Sequence, residues 1–230
     1  MMIFDAYLFD MDGLLLDTER AFLNAALTLL EPRGHDPARI EALFRSLVGS
    51  DVATTRAALQ GELGGAAAVF EEEWYALHGA NMARHVPVKD TVRETLDTLS
   101  GQGAQMAVVT STRGHLARAK LKTAGLDHHF AFVIAGDEVP ANKPDPAPYL
   151  MAAEAFGAPP QACAAFEDSD RGIASAMAAG CRGVQIPDLR PEDVPLPQLG
   201  QLVAETLAQG VAAAQAAGRD GPRSLTNSVA

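Results

Sequence analysis

Two carboxylates stand two residues apart in Phe9-Asp10-Met11-Asp12-Gly13, directly after an apolar run near the N-terminus. At the end of a buried strand such a pair is costly, because like charges repel and desolvation disfavours both ionised forms. A bound cation, an anionic substrate, or both would justify the placement. Asp10 is suited to attack a phosphorus atom and form a mixed anhydride. Asp12 could donate a proton to the departing alkoxide, then take one from the water that hydrolyses the intermediate. Gly13 permits the tight backbone turn that follows. Taken alone, Asp-x-Asp-Gly reads equally well as a turn after a strand.

Three further groups follow along the chain. Thr110, with Ser111 and Thr112 behind it, offers a hydroxyl and free backbone N–H groups that can hold phosphate oxygens. Lys143, in Asn142-Lys143-Pro144-Asp145-Pro146, is a compact positive charge fixed by two prolines, suited to the phosphate and to restraining Asp10. Glu167 and Asp168 end the apolar run from Ala162 to Phe166 and can converge on Asp10, since parallel strands lay their carboxyl ends side by side. Such hard oxygen ligands suit Mg²⁺, which would relieve the repulsion and polarise a phosphoryl group. Each group has an ordinary reading: a capping hydroxyl, a surface lysine, an acidic helix start capped by Ser169. Their order, each at a strand's carboxyl end, argues for one site.

The elements that must position them are legible as short apolar runs: Asp5 to Phe9, Gln105 to Val109, Phe132 to Ala135, Ala162 to Phe166 and Gly183 to Ile186. Runs of this kind suit strands buried on both faces of a parallel sheet. Helices separate them. Thr91-Val92-Arg93-Glu94 reads as a capping box opening a helix through Leu99. Asp145-Pro146 reads as an N-cap and first helical residue, leading into Tyr149, Leu150 and Phe156. Gly180 ends a helix carrying Ile173, Ala176 and Met177. This alternation predicts a doubly wound α/β sheet. Between Thr18 and Arg84 it breaks into helical patterns (Phe22, Leu23, Ala26, Leu27, Leu30; Ile40, Leu43, Phe44, Leu47; Val69, Trp74, Leu77), predicting an all-helical insert above the strand ends. The expected division is a core of 1–15 and 86–217, a helical cap of 16–85 and a disordered tail of 218–230. A last helix is predicted on Leu199, Leu202, Val203, Leu207 and Val211.

Bulk properties bound the partners. The 230 residues carry a net charge of −11, which argues against nucleic acid and anionic membranes. An anionic substrate must then be drawn by a locally positive pocket. The two cysteines, Cys163 and Cys181, lie in apolar surroundings without ligand spacing and read as buried free thiols. No signal peptide or membrane-spanning stretch is read, so the expected location is the cytoplasm; the oligomeric state is left open, with a monomer favoured.

With all four groups in this order, the chain resembles the haloacid dehalogenase-like hydrolase superfamily over residues 4–190. Asp10-Met11-Asp12-Gly13 is similar to its first motif, Thr110 to its second, Lys143 to its third and Glu167-Asp168 to its fourth. The resemblance implies an Asp10 nucleophile, an Asp12 general acid/base and an essential Lys143, with Thr110, Ser111 and Lys143 holding the phosphate. It also implies Mg²⁺ at Asp10, Asp12 (through its backbone carbonyl) and Asp168, with Glu167 close by, and a cap that opens and closes. Phe166-Glu167-Asp168-Ser169, with Gly172 and Gly180, is most similar to the β-phosphoglucomutase-like branch. The expected activity is Mg²⁺-dependent hydrolysis of a small phosphorylated metabolite, such as a sugar phosphate.

Departures from the family pattern narrow this. The mutases carry a cap His where Phe22 stands, and an Arg just after a cap glycine, whereas Gly49 is followed by Ser50, Asp51 and Val52. The dehalogenases lack the second Asp of the first motif, here Asp12. A phosphonate hydrolase needs a cap lysine, and Leu16 to Val88 contains none. A phosphomutase and a catalytically silent phosphate- or partner-binding protein remain the alternatives. Other residues receive ordinary readings: His128-His129 a loop pair without metal-ligand company, His78 and His85 hinge or surface, Trp74 and Tyr75 cap core, Glu19 a solvated helix-start acid. Arg113 is weighed as a substrate contact.

Overall fold

The computed structural model describes residues 3–47, 52–191 and 193–220, the last two by backbone alone. Six parallel strands form one sheet among these residues: β1 (Ala6–Phe9), β2 (Met106–Val109), β3 (Phe132–Ile134), β4 (Cys163–Glu167), β5 (Arg182–Gln185) and β6 (Leu202–Val203). Their order is β3-β2-β1-β4-β5-β6. Because side chains alternate along a strand, β1 serves two cores. Tyr7 and Phe9 join Val108, Phe166 and Val184 on one face, beneath α5 (Val92–Gly101), α6 (Gly114–Ala124) and α9 (Leu207–Asp220). Ala6 and Leu8 join Val109 and Ala165 on the other, beneath α7 (Ala147–Ala155) and α8 (Asp170–Ala178). Phe9 stacks on Phe166 with ring centroids 5.1 Å apart, tying β1 to β4. The chain runs from β1 outward to β2 and β3 on one side, then returns to β4 on the other. That reversal opens a crevice above the carboxyl ends of β1, β2 and β4.

The predicted helical insert lies between β1 and β2 as α1 (Thr18–Leu30), α2 (Pro37–Leu47), α3 (Val52–Leu63) and α4 (Ala67–Arg84). Leu23, Ala26, Leu30, Ile40, Phe44, Phe70 and Trp74 form its own core. Two paired linkers join it to the sheet: Asp17 N–H donates to Pro87 O at 2.9 Å, and Lys89 N–H to Leu15 O at 3.0 Å. No helix among the described residues is long and apolar enough to cross a membrane. Both cysteines are free, and burial pushes their thiols up to about 11 at Cys163 and about 12 at Cys181.

Several local expectations are corrected. α3 buries Leu59 alone, so no apolar period announced it. In α4 the inward residue is Phe70, while Val69 is 61% exposed. Leu202 and Val203 form β6 instead of a helix, pairing with Val184 and Gln185 and covering the edge of β5. The predicted capping box does not form. Thr91 adopts φ 66° and its hydroxyl caps nothing in α5, accepting instead from Ala208 N–H at 3.3 Å. Asp145 Oδ1 accepts Ala147 N–H at 2.9 Å but is not the N-cap, because α7 starts at Ala147, one residue later than expected, and Pro146 takes the cap position. α9 continues to Asp220, because Gly218 lets it pack against Ile3: a Cβ there would lie 2.5 Å from Ile3 Cγ2. The remaining tail, 221–230, and the Gly49-Ser50-Asp51 segment lie outside the described residues.

Candidate active site

The four motif groups stand together at the carboxyl end of the sheet. Asp10 is the first residue past β1, and its N–H donates to Phe166 O at 3.0 Å. Thr110 is the first past β2, and its N–H donates to Ile134 O at 3.0 Å. Glu167 ends β4, Asp168 follows it, and Lys143 reaches in from the loop before α7. A cleft of about 690 Å³ is lined by Asp10, Asp12, Thr110, Ser111, Lys143 and Asp168 from the core. Thr18, Glu19, Phe22 and His78 line it from the cap side.

The floor is a buried ion cluster. Lys143 Nζ donates to Asp10 Oδ1 and to Val109 O at 2.7 Å, and lies 2.6 Å from Glu167 Oε1. Those three acceptors use all three ammonium protons. Burial opposes the lysine's charge, but Asp10 and Glu167 outweigh it and hold Lys143 above the usual lysine range. Burial pushes Asp10 up to about 7, with Lys143 opposing and Glu167 adding to the rise. Asp168 is driven well above the carboxylate range by burial, then by Asp10 and Glu167.

Glu167 lies beneath the cleft instead of lining it. Its Oε1 also accepts the Tyr149 hydroxyl, while Oε2 is buried without a hydrogen-bond partner. Oxygens of Asp10, Glu167 and Asp168 lie within 4.8 Å of one another. An orphaned buried carboxylate oxygen, two carboxyls with raised pKa and an all-oxygen donor set fit a small hard cation. Two glycines make room for this packing. A Cβ at Gly172 would lie 1.9 Å from Glu167 Oε2, and one at Gly13 (φ +86°) 2.2 Å from Asp168 Oδ2.

Asp12 faces elsewhere. Its Oδ1 accepts Thr18 Oγ1 at 2.9 Å and Lys120 Nζ at 2.6 Å, and its Oδ2 accepts Thr112 Oγ1 at 2.7 Å. Its carboxylate, with three donors on it, lies outside the cluster of Asp10, Glu167 and Asp168. Sequence reasoning missed Thr18, Lys120 and Arg171 here. Arg171 lines the cleft and donates to Lys143 O at 2.7 Å, bracing the lysine's loop. Nothing in a lone helical lysine or a helix-start threonine marks such a role.

Other readings change. His78 lines the cleft edge-on to Phe22, and burial, then Lys120, lowers its pKa. Glu19 also lines the cleft, and burial, then Asp12, raises its pKa. Trp74 is cap core, but Tyr75 is 45% exposed. Arg113 is exposed and not among the described cleft residues. His128 and His129 do have company: Asp97 Oδ1 lies 3.6 Å from His129 Nε2, because α5 packs beside their turn.

The model of the haloacid dehalogenase-like hydrolases matches residues 7–186, from the first strand through the last core strand beside the site. The chain belongs to this family. Its fold, a parallel α/β sheet with a helical insert after the first strand, is shared with structures solved as β-phosphoglucomutases. This haloacid dehalogenase-like hydrolase is 33% identical over 195 residues to Protein CbbY of Rhodobacter capsulatus, covering 79% of this chain and 85% of that protein. It is 34% identical over 188 residues to Fructose-1-phosphate phosphatase YqaB of Escherichia coli, covering 78% and 94%. A solved HAD family hydrolase from Deinococcus radiodurans R1, with bound phosphate and sodium, superposes with a TM-score of 0.76 at 26% identity, covering 94% and 96%.

Proposed function

We propose that the protein is a Mg²⁺-dependent phosphatase acting on a small phosphorylated metabolite, a sugar phosphate or similar, through an aspartyl-phosphate on Asp10. The observation that carries this reading is the buried cluster: Lys143 pins Asp10 Oδ1 at the floor of a cleft shared with Thr110, Ser111 and Asp168. Relatives named for phosphatase activity, such as YqaB, support the same class.

With Oδ1 held, Asp10 Oδ2 is the attacking oxygen. Its bond to phosphorus forms as the ester P–O bond breaks, and Asp12 supplies the proton to the departing alkoxide. Water then attacks the same phosphorus and passes a proton to Asp12; the bond to Asp10 breaks and phosphate leaves. Thr110 and Ser111 hold phosphate oxygens, and Lys143 balances the charge that builds on the phosphoryl group. Mg²⁺ held by Asp10, Asp168 and the Asp12 carbonyl, with Glu167 behind, would neutralise the carboxylates and polarise the phosphoryl group when bound. Residues 16–85 act as the cap, moving on the paired linkers around Leu16 and Val88 against a core of 3–15 and 86–220.

A phosphomutase needs a hold on a second phosphate. Phe22, which stands where the mutases carry His, packs 3.8 Å (ring centroids) from Trp74 and offers no donor. The test is a panel of phosphorylated sugars and short phosphorylated acids with Mg²⁺, read by inorganic phosphate release and by product analysis. Free phosphate in step with dephosphorylated product is expected. Phosphate moved to another hydroxyl without release would indicate a mutase, and no turnover of any ester would indicate a binding protein.

A further inference from the structure

Lys120 lies outside all four motif loops, on α6, yet its ammonium is 2.6 Å from Asp12 Oδ1. Its neighbours on the helix, Ala117 and Leu121, are buried in the sheet-facing core, so the lysine's backbone has a fixed station. The pair is not a loose surface contact, since the two side chains are only 23% and 21% exposed.

A carboxylate has about four acceptor directions. On Asp12 two are filled at Oδ1, by Thr18 and Lys120, and one at Oδ2, by Thr112. These donors come from three places: the first residue of α1, the loop after β2, and the middle of α6. One direction remains, on Oδ2. Of the three donors only Lys120 is charged, and charge-assisted contacts are roughly twice as strong as neutral ones.

We infer that Lys120 is a positioning residue for the acid/base step: its ammonium holds the Asp12 carboxyl so that the remaining Oδ2 direction faces the leaving-group oxygen. This rests on the assignment of Asp12 as acid/base in the proposed phosphatase reaction. Lys120 acts through Asp12, so its loss slows proton transfer without removing a substrate contact. A misplaced acid is expensive, because shifts of about 1 Å can cost 10²-fold in rate.

The test is steady-state kinetics with Mg²⁺ and an alkyl phosphate that the wild type hydrolyses, whose alkoxide must be protonated as it leaves, on full-length Lys120→Met, Lys120→Arg, Thr112→Val and the Lys120→Met/Thr112→Val double variant, each first checked for an unchanged melting transition. Lys120→Met should lower kcat about 10- to 100-fold with KM changed less than about 3-fold, and Lys120→Arg should recover most of the loss. The double variant should lose clearly less than the product of the single losses, since both donors act on one carboxyl. A raised KM at unchanged kcat, a less than about 2-fold effect, or strictly multiplicative losses would overturn the inference. Asp12→Ala, measured alongside, separates the two levels: wild-type turnover in that variant refutes the acid/base assignment itself, whereas its loss with Lys120→Met unaffected refutes only the role of Lys120.

Discussion

Gly172 sits so close against Glu167 that a Cβ added at 172 would lie 1.9 Å from Glu167 Oε2 and 2.1 Å from Cδ. The first turn of α8 thereby presses on a fully buried carboxylate whose other oxygen is held by Lys143 and Tyr149. Glu167 cannot retreat without breaking those contacts. Gly172→Ala is expected to destabilise the fold by about 1–3 kcal/mol through overpacking. It should also weaken Mg²⁺ binding, because the displaced carboxylate is the one behind Asp10 and Asp168. Urea unfolding with and without Mg²⁺ reads both effects, and unchanged stability and metal response would contradict the packing argument.

Lys143 neutralises two carboxylates that have no other cation in contact with them among the described residues. Removing one partner of a buried ion pair costs about 3–5 kcal/mol, because the other charge is left uncompensated. Lys143→Ala should therefore lose stability on that scale and, separately, lose roughly 10²-fold or more in kcat through the missing charge on the phosphoryl group. Denaturant unfolding and phosphate release measure the two effects independently. Near-wild-type kinetics would remove Lys143 from the catalytic set.

The raised pKa of Asp10, about 7 through burial, gives the metal response a pH signature, and Asp168 shifts the same way. A carboxyl raised in the folded state contributes stability that is fully present below its unfolded pKa, ordinarily near 3.8, and lost as pH climbs through about 7. Without metal, the melting temperature should carry a penalty that grows from about pH 4 to pH 7. Mg²⁺ offsets that penalty and competes with protons, so the increment it adds should increase over the same window, reaching roughly 3–6 °C at saturating metal. Thermal melts in chelator and in Mg²⁺ across this range test it. An increment independent of pH would contradict the raised carboxyls.

The site was readable where chemistry opposes folding. Asp10, Asp12, Glu167 and Asp168 are poor choices for the ends of buried strands, and that cost is what marks them in the sequence. The five longer strands were readable for a related reason, since runs such as Ala164-Ala165-Phe166 can be satisfied only between two covered faces. Lys120 and Thr18 were not readable, because a helical lysine and a helix-start threonine are ordinary surface choices until the fold brings Asp12 to them. α3 was missed because it buries Leu59 alone, and β6 because Leu202-Val203 continues an apolar spacing that fits a helix equally well. Thr91 misled in the opposite direction. It has the residues of a capping box, but its backbone at φ 66° turns the hydroxyl away from α5 toward α9.

The most direct test of the account is turnover of Asp10→Asn beside wild type, at saturating Mg²⁺ and on a substrate the wild type hydrolyses. The amide preserves shape and removes the nucleophilic carboxylate along with one charge from a crowded cluster. Phosphate release is expected to fall at least about 10³-fold while the melting temperature holds or rises. Wild-type turnover in a folded Asp10→Asn protein would contradict the claim that Asp10 carries the phosphoryl group.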